Sequence, residues 1–173
     1  MRKLRLLSLF ALIVLFSACG SGEEKSSAKE EETLNENYNK MIQTDLSEYG
    51  LNATIYIPDE SKGKAEISET SWGSINIEVG ENFGLEIIPF GMSIEDKKIE
   101  LQGDLVYNTE YIEQTENLLV FTKVIKDSDM EPEVHFFYVT KVDGEQVEVK
   151  NTKDRTFRKE AVDKMVESAK SLK

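Results

Sequence analysis

The sequence predicts an α+β fold: a mostly antiparallel sheet of about six or seven strands, packed by a short middle helix and a C-terminal amphipathic helix. Three observations carry this. From Ala53 to Ile88, apolar residues recur at every second position in short runs, several closed by proline or glycine. A second strand-rich stretch runs from about Thr109 to Val149. From about Thr156 the apolar spacing becomes helical and stays so to the end.

Taken in order, Tyr38 to Ser47 reads as a short helix, with Tyr38, Met41, Ile42 and Leu46 near helical spacing. The period then changes to two. Ala53–Ile57 is a strand stopped by Pro58, and Ala65–Ser68 alternates. Ile75–Val79 ends at Gly80, and Leu85–Ile88 ends at Pro89. One apolar and one polar face is the mark of antiparallel strands packed on one side. Ser93-Ile94-Glu95-Asp96 has the form of a helix start, its serine three residues ahead of an acid. Ile94, Leu101 and Leu105 then share a helical face, and Gly103 is the stop. Strands resume at Thr109–Gln114, turn at Glu116-Asn117 and continue through Leu118–Ile125. An acidic loop leads to Val134–Thr140. Asp143-Gly144 signals a type I′ hairpin that returns the chain into Gln146–Val149. In the last helix Phe157, Ala161, Val162, Met165, Val166, Ala169 and Leu172 form one stripe opposite charged residues, the pattern of a helix that packs on a sheet. Trp72, the only tryptophan, lies at a strand boundary and is expected to anchor the core.

The N-terminus has a different character. Arg2, Lys3 and Arg5 precede an apolar run from Leu6 to Phe16, and no acid appears before Glu23. The run is about eleven residues, the length of an export signal and well short of the roughly 20 that a spanning helix needs. It ends in Leu15-Phe16-Ser17-Ala18-Cys19, which resembles the lipobox of bacterial lipoproteins, with Phe16 where leucine is usual. That resemblance implies a signal peptide over residues 1–18, with Cys19 lipidated by a diacylglyceryl group as the first residue of the mature chain. It also implies a cell-envelope location, in the outer membrane if the host has two, since Gly20 rather than aspartate follows the cysteine. Cys19 is the only cysteine, so an intramolecular disulfide has no second partner.

From Gly20 to about Asn37 the chain is polar and charged without apolar periodicity, the composition of a flexible acidic linker. Residues 38–173 are left for a single domain with one modest core. The whole chain has a formal net charge of −12. Removing residues 1–18 removes Arg2, Lys3 and Arg5 and no acid, leaving 18 basic against 33 acidic residues and a charge of −15. Such acidity argues against nucleic acid as a partner and against docking on anionic headgroups, so attachment to the membrane falls to the lipid.

The order of elements from Leu46 to Leu172, with Tyr49-Gly50-Leu51 followed by Ile57-Pro58, resembles the PsbP-like fold, which includes secreted mycobacterial lipoproteins of the LpqN type. The resemblance implies an accessory or binding role and brings no catalytic residue with it.

Few residues propose chemistry of their own. His135 is the only histidine and sits mid-strand, on the face of Phe137 and Val139. With no second histidine and the cysteine at the membrane, zinc sites and Cys-His nucleophiles lack the residues they need. No Gly-x-Ser-x-Gly elbow or glycine-rich phosphate loop is present. The acids of Asp127-Ser128-Asp129-Met130-Glu131-Pro132-Glu133 alternate as in a calcium loop, but without the EF-hand glycine and closing glutamate a solvated turn is expected. The expectation is a membrane-anchored, non-enzymatic accessory or binding domain, with neither cofactor nor metal, meeting an envelope protein or a small ligand. Its rivals are a small envelope hydrolase using carboxylates or His135, and a purely structural envelope protein.

Overall fold

The computed structural model describes residues 41–173, which fall within one compact unit, Tyr38–Lys173. The expected signal, the expected lipidation position Cys19 and the expected linker lie outside the described residues.

The architecture is α+β, as expected. Among the described residues nine strands form two sheets: β1 (Met41–Asp45), β2 (Thr54–Pro58), β3 (Ala65–Glu69), β4 (Ile75–Val79), β5 (Gly84–Pro89), β6 (Tyr107–Gln114), β7 (Leu118–Ile125), β8 (Glu133–Val142) and β9 (Glu145–Asn151). Two helices complete it, α1 (Ile94–Gln102) and α2 (Lys159–Lys170). The main sheet has seven strands in the order β3-β4-β5-β9-β8-β7-β6, and every pairing is antiparallel. The remaining two strands, β1 and β2, pair antiparallel with each other.

The two-residue periods decide which face is buried. Ile75, Ile77, Val79, Leu85, Ile87, Val147, Val149, Phe136 and Tyr138 fall on one side of the main sheet and meet α2 and β2 in the principal core. The helix begins at Lys159 rather than near Thr156 and ends at Lys170; its Val162, Met165, Val166 and Ala169 are buried and Ala161 half-buried, and Phe157 before it and Leu172 after it are buried as well. Polar ties hold the helix end to β2. Ser168 Oγ donates to the Tyr56 carbonyl, the Tyr56 N–H donates to Ser171 Oγ at 2.9 Å, and the Thr54 N–H reaches the Lys173 carbonyl at 2.8 Å.

Packing on one side is only half of the arrangement. In β7 and β8 the apolar run is continuous, and Leu119, Phe121 and Phe137 point to the opposite face, where Ile94 and Leu101 of α1 cover them. On the β4, β5 and β9 half, that same face carries charge. Lys150 Nζ lies 2.7 Å from Glu148 Oε1 and 3.5 Å from Glu86 Oε2.

Three expectations are corrected. Residues 41–45 form a strand rather than a helix, and only Ser47–Tyr49 makes a single 3-10 turn. Pairing along all of β2 gives this segment hydrogen bonds that a ten-residue helix would hold only marginally. Trp72 is 90% exposed, so it anchors nothing in the core. It occupies the Ser71-Trp72-Gly73 turn between β3 and β4, where Gly73 takes a left-handed φ of 79°, as a three-residue hairpin loop requires. Leu105 lies beyond the end of α1 and is exposed, because Gly103 caps the helix on the Ile99 carbonyl at 3.0 Å.

Candidate functional site

The side of the sheet under α1 carries the polar chemistry. Ser93 starts this helix by accepting the Asp96 N–H at 3.1 Å and donating its hydroxyl to the Asp96 carboxylate at 2.7 Å. That is the cap expected from the sequence, worth about 1 kcal/mol. Ile94 and Leu101 then fix the helix on Phe121 and Phe137.

Where α1 ends, Asp104 organises the turn into β6. Its Oδ1 accepts the backbone N–H groups of Val106 and Tyr107, each at 3.0 Å, and its Oδ2 lies 2.8 Å from Lys123 Nζ. Lys123, then these two amides, hold the Asp104 carboxyl well below the usual carboxylate range. Lys126 Nζ donates to the Asp104 carbonyl at 3.0 Å, and Lys123 Nζ stands 4.4 Å from the centre of the Tyr107 ring. Two lysines therefore tie the corner, Lys123 of β7 and Lys126 just after that strand.

Between this corner and β6 lies a cleft of about 210 Å³, with Leu101, Gln102 and Asp104 on one wall and Tyr107, Thr109 and Tyr111 on the other. The strand period places those last three on one face of β6. Thr109 Oγ1 and Tyr111 Oη are buried and meet no donor or acceptor of the protein. A buried hydroxyl without a partner costs about 1–3 kcal/mol. Burial also pushes the Tyr111 phenol up, so it stays protonated at neutral pH and able to donate. Thr109 and Tyr111, each with an unpartnered hydroxyl that can both donate and accept, thus line the cleft together with Tyr107 and Lys126.

His135 sits two rings away. Tyr111 meets Phe121 edge-on with centroids 6.4 Å apart, and Phe121 stacks on His135 at 5.7 Å. The Asn151 amide nitrogen lies 3.1 Å from Nδ1, and Glu133 Oε2 lies 3.3 Å from Nε2. The amide donating to Nδ1 puts the proton on Nε2, facing Glu133, and occupies the lone pair a general base would use. Asn151 is itself fixed, since its Oδ1 accepts the Phe136 N–H at 3.0 Å. Burial lowers the His135 pKa, outweighing the opposing pull of Glu133. These are the surroundings of a satisfied core histidine.

The acidic loop does not close on itself. Among the described residues no three acids, histidines or cysteines gather as metal ligands. Glu133, the last acid of the run, turns to His135 and to the Thr156 hydroxyl at 3.3 Å. None of the functional candidates in the sequence lines the cleft; His135 is separated from Tyr111 by Phe121. The residues that build the cleft escaped notice there. Their one sequence signal is Tyr107, Thr109 and Tyr111, polar side chains repeated at strand spacing on a face that must meet a helix. No helix among the described residues is long and apolar enough to cross a membrane. No protein-family model matches the sequence, and neither does any curated protein or solved structure.

Proposed function

We propose that the protein is a lipid-tethered binding domain of the bacterial cell envelope, held by Cys19 and taking a small hydroxyl-bearing ligand into the cleft between α1 and β6. The observation that carries the reading is the pair of buried, unpartnered hydroxyls of Thr109 and Tyr111. Buried polar groups are paired as a rule, and two orphans on one cleft wall call for a partner from outside the chain. At about 210 Å³ the cleft holds a compact molecule or a few waters, not a polymer segment. His135, with Asn151 capping Nδ1, supports binding over hydrolysis. The resemblance of the element order to PsbP-like accessory proteins points the same way.

The test is mass spectrometry of the full chain, released gently from its own membranes, beside Thr109→Val and Tyr111→Phe. A small molecule that travels with the natural chain and is lost from both variants supports the reading. An unliganded natural chain, with both variants equally folded and more stable, would mean that water alone fills the cleft.

A further inference from the structure

The end of the sheet away from the chain's entry carries a second feature, independent of the cleft. Trp72 is 90% exposed and Phe90 75% exposed, and Met92 beside them is also exposed. β4 and β5 pair with Ile75 opposite Ile87, so the Ser71-Trp72-Gly73 turn precedes β4 at the same end of the sheet where Phe90 follows β5. Two large aromatic side chains therefore project from neighbouring strands at one tip.

Phe90 is held there against its own preference. Its φ is +56°, a left-handed conformation that bulky residues avoid. Strand β9 enforces it from both sides. The Phe90 N–H donates to the Gln146 carbonyl at 2.8 Å, Gln146 Nε2 donates to the Gly91 carbonyl at 2.7 Å, and the Met92 N–H donates to Glu148 Oε2 at 3.0 Å. Gly91 lies so close to Glu148 that a side chain there would meet the Glu148 Cβ at 2.3 Å. A strained backbone fixed by surrounding bonds, presenting an aromatic ring to solvent, motivates a functional reading of this position over a packing one.

The surroundings identify the occupant's chemistry. Around the tip the exposed acids Glu69, Glu95, Asp96, Asp143 and Glu145 outnumber the basic residues that border the same segments, Lys97, Lys98 and Lys141, the last of which stands opposite Gln146. An acidic rim opposes entry into a bilayer surface of anionic lipid and opposes a second copy of this acidic chain. It favours a protein surface with an apolar socket bordered by lysine or arginine, the arrangement in which buried aromatic anchors give affinity and rim charges give steering. The placement agrees. Met41 pairs with Pro58, and the chain beyond Pro58 brings Gly63 against Gly80 at the other end of β4, so the chain enters the domain at the end opposite the tip.

We infer that the Trp72–Phe90 tip is a docking surface for an envelope protein that offers an apolar socket with a basic rim. The full chain in its native envelope, with a photo-crosslinking amino acid replacing either Trp72 or the exposed Glu81 at the opposite end, tests this. The expected result from position 72 is one adduct of discrete mass whose crosslinked peptide carries lysine or arginine. Its yield should fall at least tenfold with Phe90→Ala and fall severalfold in high salt, and position 81 should give no such adduct. Unchanged melting of Phe90→Ala shows that the loss is not one of folding. Lipid adducts, an adduct of twice the chain's mass, equal adducts from both positions, or none at all would overturn the inference.

Discussion

Phe90 holds a left-handed backbone at a solvent-exposed position, with an aromatic ring that contributes little to the core. Left-handed geometry costs an L-residue roughly 1–2 kcal/mol, and glycine avoids that cost at some expense in unfolded-state entropy. Phe90→Gly is therefore expected to stabilise the domain by up to about 1 kcal/mol in denaturant melts, while removing the tip's aromatic contact. A variant less stable than the natural chain would mean the ring packs after all. His135 gives a second prediction at this scale. Burial lowers its pKa below the ordinary 6.5, so between the folded value and 6.5 the unfolded chain binds more protons than the native one. The His135 contribution is complete above pH 6.5 and is lost as pH falls through that value toward the folded one. Melts of the natural chain and of His135→Gln across pH 5 to 8 should show a steeper loss below about 6.5 in the natural chain. Parallel curves would show a histidine that titrates as it does in the unfolded chain.

Each element rests on how many of its residues the core demands. Met165 is fully buried at the middle of the α2 stripe, one turn from both Ala161 and Ala169. Met165→Ala is expected to cost about 2–5 kcal/mol, a large part of the 5–15 kcal/mol available to a small domain. Matching denaturation midpoints would mean that the helix face is not part of the core. Elements of this kind were legible in the sequence, because α2 and the alternating strands write burial directly into their spacing. The Asp143-Gly144 hairpin was legible for a different reason: both residues need positive φ, of 51° and 86°, and few residues tolerate it. β1 was not legible. Met41, Ile42 and Leu46 fit helical spacing, and only the partner strand, whose register no local pattern reveals, makes the segment extended. Trp72 misled because size and apolarity suggest a core, whereas its turn position sends it to solvent. The cleft was hidden for a similar reason. Thr109 and Tyr111 read as ordinary strand residues until α1 closes over their face and leaves their hydroxyls without partners.

At the scale of the whole molecule, the proposed tether raises the question of what would hold an acidic domain at a membrane. The chain has a net charge of −12, falling to −15 without residues 1–18, so repulsion from anionic headgroups works against attachment. The described residues supply no spanning helix, and the apolar run before Cys19 is about eleven residues, too short to cross once and expected to be removed. Two acyl chains on Cys19 would supply what remains. At about 0.8 kcal/mol per buried methylene, one chain gives marginal, reversible attachment and two give a stable one. Cys19→Ser is accordingly expected to move the protein out of the washed membrane fraction when the uncut signal is bypassed by a cleavable general export signal. The soluble product should melt as the natural domain does, since Cys19 lies outside the unit Tyr38–Lys173. Retention of this serine variant through a high-salt wash would show a second anchor. A test with Trp72→Ala and Phe90→Ala on the same background would then tell whether that anchor is the aromatic tip, because a docked tip would hold the unlipidated protein and its loss would free it.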